Sequence, residues 1–141
     1  MPAPKNHAVL SASSAHRWLN CPGSVSLTKD MPDTKSEYAE EGRLAHAVAE
    51  LKLRKKFLEP MGARAYTTRM NKLKKDPLYQ TEMDSCTDQY LDYITDLANS
   101  MAAKPFIAVE KRVDFSSFVP EGFGTADCVM IQGSDLYVTD Y

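Results

Sequence analysis

The sequence predicts an α+β fold, with N-terminal helices packed on an antiparallel strand meander. Three observations point there. Apolar residues recur at helical spacing through two long stretches in the first hundred residues. From Phe106 onward the composition turns β-branched and aromatic. Turn signals at Pro120-Glu-Gly-Phe-Gly124 and Gln132-Gly-Ser-Asp135 then divide that last stretch into three strands. Helices followed by a run of strands are the pattern of an α+β domain.

The elements follow in order. Residues 1–10 read as an extended lead-in, because Pro2 and Pro4 discourage a helix. Ser11 or Ser13 caps a short helix through His16, Arg17, Trp18 and Leu19, with Trp18 and Leu19 as core anchors; Cys21-Pro22-Gly23 ends it. Thr28 to Lys35, with Pro32, reads as a loop. Thr34-Lys-Ser-Glu37 fits a capping box that opens a long helix to about Glu59, in which Leu44, Val48, Leu51 and Leu58 have helical spacing. Pro60 and Gly62 stop it. Residues 60–80 read as a basic, exposed and mobile connector. Thr81-Glu-Met-Asp84 begins a second helix. Its apolar face holds Met83, Thr87, Tyr90, Leu91, Ile94, Leu97, Ala98 and Met101, and Lys104-Pro105 closes it. Phe106–Phe115 is the first strand, with Val109, Lys111 and Val113 on one face and Glu110 and Arg112 on the other. Thr125–Ile131 is the second, and the third starts at Leu136. The chain ends inside that apparent strand, which reads as a single, incomplete domain spanning 1–141.

Composition narrows the function classes. Formal net charge is −2, yet ten lysines and arginines lie between Arg43 and Lys75 against only Glu50 and Glu59. Two readings fit that basic stretch: a polyanion-binding face, or a solvated helix surface. Three cysteines, Cys21, Cys86 and Cys128, are far apart and form no CxxC pair, so neither a disulfide framework nor a complete zinc site follows. Met1 to Leu10 lacks the long apolar stretch of a signal peptide, and no segment approaches membrane-spanning length. The expected location is a reducing cytoplasm, with no membrane partner.

Two constellations bear on chemistry. Asp127 lies in Gly124-Thr-Ala-Asp-Cys-Val-Met-Ile131 and Asp140 in Leu136-Tyr-Val-Thr-Asp-Tyr141. Aspartate is depleted in strand interiors, so both placements ask for a reason. Facing residues on antiparallel neighbours sit roughly 5 Å apart, so two carboxylates there either repel or share a hard cation. On the long helix, spacings of four put Gly42, His46 and Glu50 on one face. Gly42 lets another backbone approach, and His46 can offer an imidazole nitrogen to a metal. Taken alone, a lone helix histidine is more often a satisfied, half-buried residue than a metal ligand.

In order and separation, these motifs resemble the RecB-type branch of the PD-(D/E)XK nuclease superfamily, and within it a phage and prophage group. The opening Ser11-Ala-Ser-Ser-Ala-His-Arg-Trp-Leu-Asn-Cys-Pro22, then Gly42-x-x-x-His46-x-x-x-Glu50, Glu110, the Gly124-Thr-Ala-Asp127 strand and Asp140-Tyr141 are the residues that match. The resemblance implies that the strands form part of a restriction-endonuclease-like core. It implies metal-dependent hydrolysis of DNA phosphodiesters, of exonuclease type, using Mg²⁺ or Mn²⁺. Asp127 and Asp140 become the strand carboxylates, His46 assists them in metal binding, Glu110 joins the catalytic set, and Glu50 and Gly42 support the helix side. Cys21 matches the first ligand of relatives that hold an iron–sulfur cluster. Arg54, Lys55, Lys56, Lys72, Lys74 and Lys75 become a surface that tracks the DNA backbone, where phosphate contacts give affinity without sequence information. DNA and phage or host recombination proteins are the implied partners. The family's catalytic lysine falls two residues after Asp140, past Tyr141. The alternative is a non-catalytic DNA- or protein-binding phage module that retains the fold.

Overall fold

A computed structural model of the chain describes residues 8–29, 31 and 36–141. Helices precede a three-stranded antiparallel sheet, the α+β arrangement expected. The helices are α1 (Ala15–Asn20), α2 (Gly23–Thr28), α3 (Glu37–Leu53), α4 (Ala63–Lys74) and α5 (Thr81–Ser100); the strands are β1 (Phe106–Asp114), β2 (Phe123–Gln132) and β3 (Asp135–Thr139), in spatial order β1-β2-β3. Among the described residues no helix is long and apolar enough to cross a membrane. The chain divides into two units. One holds the described N-terminal residues with Arg112–Ala126, and the other holds the described part of Lys35–Lys111 with Asp127–Tyr141.

In the first unit Ser11 starts a 3₁₀ turn, Ala12–Ser14, by accepting a hydrogen bond from the Ser14 amide. The Trp18 indole N–H donates to the Ser11 carbonyl at 3.0 Å, which satisfies the one polar atom of that large side chain. Leu19, expected to be a core anchor, is instead 67% exposed. Cys21-Pro22-Gly23 does end α1, but Pro22 sits in helical conformation before α2 and suits the start of a new helix. Helix α2 runs through Thr28, where a loop was expected; the rest of that loop, like Thr34 of the capping box and most of the lead-in, falls largely outside the described residues. Between β1 and β2, the Phe115 ring packs against Gly122 so closely that a Cβ there would lie 2.6 Å from Phe115 Cε2.

The second unit is built on α3 and α5. Ser36 caps α3 through a hydrogen bond from the Ala39 amide. The helix then widens into a π-helical turn, Arg54–Leu58, which carries it nearly to the expected stop at Glu59. Its buried Leu53 meets Ile94 of α5, Val109 of β1, and Cys128 and Met130 of β2; Tyr90, Leu91 and Leu97 pack around them. The apolar face read for α5 is therefore the face that covers the sheet.

Residues 60–80 are not a mobile connector. Helix α4 occupies most of them, and Met70 joins Val48 and Leu51 in a second buried cluster, with Tyr66 and Leu73 packed against it. Tyr66, Met70 and Leu73 have helical spacing, and that stripe outweighs the charge around it. Lys52 also departs from expectation. It is 6% exposed, and its ammonium donates to Asp84 O at 2.9 Å, Thr87 Oγ1 at 2.8 Å and Asp88 Oδ1 at 2.6 Å. It fastens α3 to α5 and is not part of an exposed basic surface.

Strands β2 and β3 pair antiparallel with Cys128 opposite Thr139 and Gln132 opposite Asp135. Gly133, at φ 61°, takes the left-handed position of the turn between them. In β1 the expected two-residue alternation fails. Val109 is buried, but Lys111 and Val113 are exposed, because Glu110 adopts φ 51° and interrupts the extended backbone.

Candidate functional site

Three elements of the second unit bring His46, Glu110 and Asp127 together. His46 comes from the middle of α3, Glu110 from β1 and Asp127 from β2, and one ligand atom of each lies within 4.8 Å of the others. His46 Nδ1 stands 3.2 Å from Asp127 Oδ2. Every member is half-buried, so the polar atoms sit at the margin of the core and not in open solvent. Among the described residues this is the one such group of three.

Glu110 reaches the cluster through a backbone conformation that non-glycine residues avoid. A left-handed residue inside a strand costs about 1–2 kcal/mol, and such strain gathers where side-chain direction matters. Burial raises the Glu110 carboxyl above its ordinary range, and the charges of Asp127 and Glu50 add to the effect against His46 and Arg54. Burial likewise raises Asp127, opposed by the hydrogen bond from the Tyr141 amide and reinforced by the Asp140 carboxyl beside it. Burial is the main cause at both carboxyls, and their acidic neighbours add to it.

Asp140 stands next to Asp127, as the β2–β3 register requires, since the pair following Cys128 and Thr139 is Asp127 and Asp140. It is exposed and is not among the three residues whose ligand atoms converge. Glu110 occupies the place in the cluster that sequence reasoning gave to Asp140. Glu50 is bound by the Arg54 guanidinium at 2.7 Å. Gly42 does not receive another backbone: a Cβ there would meet nothing within 4 Å.

Tyr141 is the functional neighbour that sequence reasoning passed over. Its amide donates to Asp127 Oδ2 at 2.9 Å, and its ring meets His46 edge-on with centroids 5.5 Å apart. It also tilts against Tyr90 at 5.3 Å. The Tyr90 hydroxyl, pushed up to about 12 chiefly by burial, lies 3.2 Å from Thr139 Oγ1. Tyr141 thereby fixes one carboxylate and one imidazole at once.

Of the basic residues, Lys55, Lys56, Lys72, Lys74 and Lys75 are exposed and Arg54 is half-buried. Lys55 Nζ lies 3.9 Å from the Tyr66 ring centroid, while Lys74 pairs with Asp84 and Arg54 with Glu50. Cys21 is exposed at the end of α1, Cys86 is exposed and Cys128 is fully buried in the core. Among the described residues no cysteine belongs to a group of three metal-ligating side chains.

Fold and site together define an α+β protein with a histidine–dicarboxylate cluster where a helix meets two strands. Residues 7–141 match the family model described as "Protein of unknown function (DUF2800)", and the chain belongs to that family. No solved structure matches it.

Proposed function

We propose that this chain forms the metal-holding part of a DNA nuclease of the RecB-like PD-(D/E)XK type. The observation that supports this most is the convergence of His46, Glu110 and Asp127 within 4.8 Å. Two carboxylates and one imidazole are a donor set suited to Mg²⁺ or Mn²⁺. The burial of Glu110 and Asp127 beside other carboxylates fits the same reading, because a cation there would favour their ionised forms. When bound, a divalent ion supplies charge neutralisation at a phosphate and a more acidic water.

The protein's own groups have separate tasks. His46, Glu110 and Asp127 hold the ion, and Asp140 adds a carboxylate beside Asp127. Tyr141 keeps Asp127 and His46 oriented through its amide and ring. Glu50, held by Arg54, adds negative charge behind Glu110. Lys55, Lys56, Lys72 and Lys75 are the exposed cations offered to the DNA backbone, whereas Lys74 and Arg54 must first leave their carboxylates. The absence of a base-reading motif favours action independent of sequence.

The test is hydrolysis of linear DNA by a chain that carries the lysine expected just after Asp140. Degradation that requires Mg²⁺ or Mn²⁺ and disappears in Asp127→Ala supports the proposal. Equal degradation by the variant and the natural chain sinks it. Salt-sensitive DNA retention without cleavage favours the non-catalytic module instead.

A further inference from the structure

We propose that a groove beside the cluster seats one unpaired nucleobase of the substrate strand. This rests on the nuclease reading above and deepens it by naming the part of the substrate held there. The groove, about 350 Å³, lies in the second unit between α3 and α5, lined by Tyr38, Glu41, Gly42, Glu82, Met83 and Tyr141 among others.

Continuity with the cluster is the first argument. Gly42 and His46 are one helical turn apart on α3, and Tyr141 both lines the groove and touches His46 with its ring. A ligand in the groove is therefore next to the residues proposed to hold the metal. The second argument is charge. Among the described residues no lysine or arginine lines the groove, while Glu41 and Glu82 do. A phosphate is repelled there. An uncharged ring bearing N–H donors is welcome, because a carboxylate has acceptor sites to spare even where, as at Glu41, one oxygen already accepts from Gln80 Nε2 at 3.0 Å.

Shape supplies the third argument. Tyr38 is 84% exposed, a large aromatic surface at the groove. Bases stack on such rings irrespective of sequence. Gly42 leaves the α3 side of the groove open, since a Cβ there meets nothing within 4 Å. A paired base cannot enter, because its stacking faces and hydrogen-bonding edge are already engaged. The substrate strand is consequently single-stranded, or frayed, next to the cut.

The groove can be filled without disturbing the fold: Gly42→Leu adds a side chain where there is open space. Tyr38→Ala, on an exposed side chain, is a second and independent variant. Binding is read by fluorescence anisotropy with Ca²⁺ present, using a single-stranded oligonucleotide, its abasic counterpart and a blunt duplex. Mn²⁺ affinity, measured by calorimetry, reports the cluster separately. Each variant is expected to weaken single-strand binding about ten-fold. Binding of the abasic strand, of the duplex and of Mn²⁺ is expected to stay unchanged. Unaltered single-strand affinity in both variants, or equal losses for the abasic strand and the duplex, overturns the proposal and leaves the nuclease reading standing. Failure of the natural chain to bind Mn²⁺ or any DNA overturns both.

Discussion

Glu110 gives the sharpest test of how this site is built, because its backbone and its side chain make opposite demands. At φ 51° it sits in the left-handed region inside β1. A non-glycine residue there costs about 1–2 kcal/mol. Glycine escapes that penalty but loses about 0.5–1 kcal/mol through the extra freedom of its unfolded chain. Glu110→Gly and Glu110→Ala both remove the carboxylate, so relief of its repulsion with Asp127 and Glu50 cancels between them. What remains is backbone strain, and the glycine variant is expected to be about 0.5–1 kcal/mol more stable than the alanine variant. For a domain of this size that is roughly 1–4 °C in Tm. Denaturation in chelator at neutral pH measures it. Equal stability, or a more stable alanine variant, would refute the claim that strain is stored at this position. Both variants are expected to lose metal affinity, which separates the role of the side chain from that of the backbone.

Three other outcomes follow from the packing. Burial opposes ionisation of Asp84, yet hydrogen bonds from Lys74 and Tyr79 and the charges of Lys74 and Lys52 outweigh it and hold the carboxyl below its ordinary value. A lowered folded-state value means stability present above the unfolded value of 3.8 and lost as pH falls through the folded one. Asp84→Asn should therefore destabilise the chain at neutral pH, and the gap from the natural protein should close below about pH 4 in acid titrations followed by circular dichroism. Lys52→Met keeps the buried stem but strips three hydrogen bonds from α5; a loss of about 1–3 kcal/mol in urea unfolding is expected, and a neutral result would mean that the ammonium is not the fastener described. Gly122→Ala pushes a Cβ to 2.6 Å from Phe115 Cε2 and 2.8 Å from the Val119 carbonyl, with about 1–3 kcal/mol expected from the same assay.

Strong periodicity was legible in the sequence. The α5 face and the β2–β3 hairpin carry local signals that agree with their packing, whereas α3 is capped by Ser36, two residues after the Thr34 of the expected capping box. Helix α4 was missed because its stripe of Tyr66, Met70 and Leu73 is thin and interleaved with charge, so a basic composition masked a buried face. Lys52 was misread for a related reason. Charge counts along the chain cannot show that Asp84, Thr87 and Asp88 wait one helix away. At the site, His46 and Asp127 were recognisable from residue type and setting, and Glu110 only from resemblance. Its entry into the cluster depends on one left-handed residue that no propensity favours. The contacts of Tyr141 arise from tertiary placement, so no spacing rule could have paired it with His46.

Mn²⁺ titration by calorimetry shows whether His46, Glu110 and Asp127 form one cation site. One ion per chain is expected, with affinity at least about ten-fold weaker in each of His46→Ala, Glu110→Gln and Asp127→Asn. The variants are to be checked for native circular dichroism. Binding of the same stoichiometry and strength in all three variants, or no binding to the folded natural chain, would mean that these residues do not form a cation site.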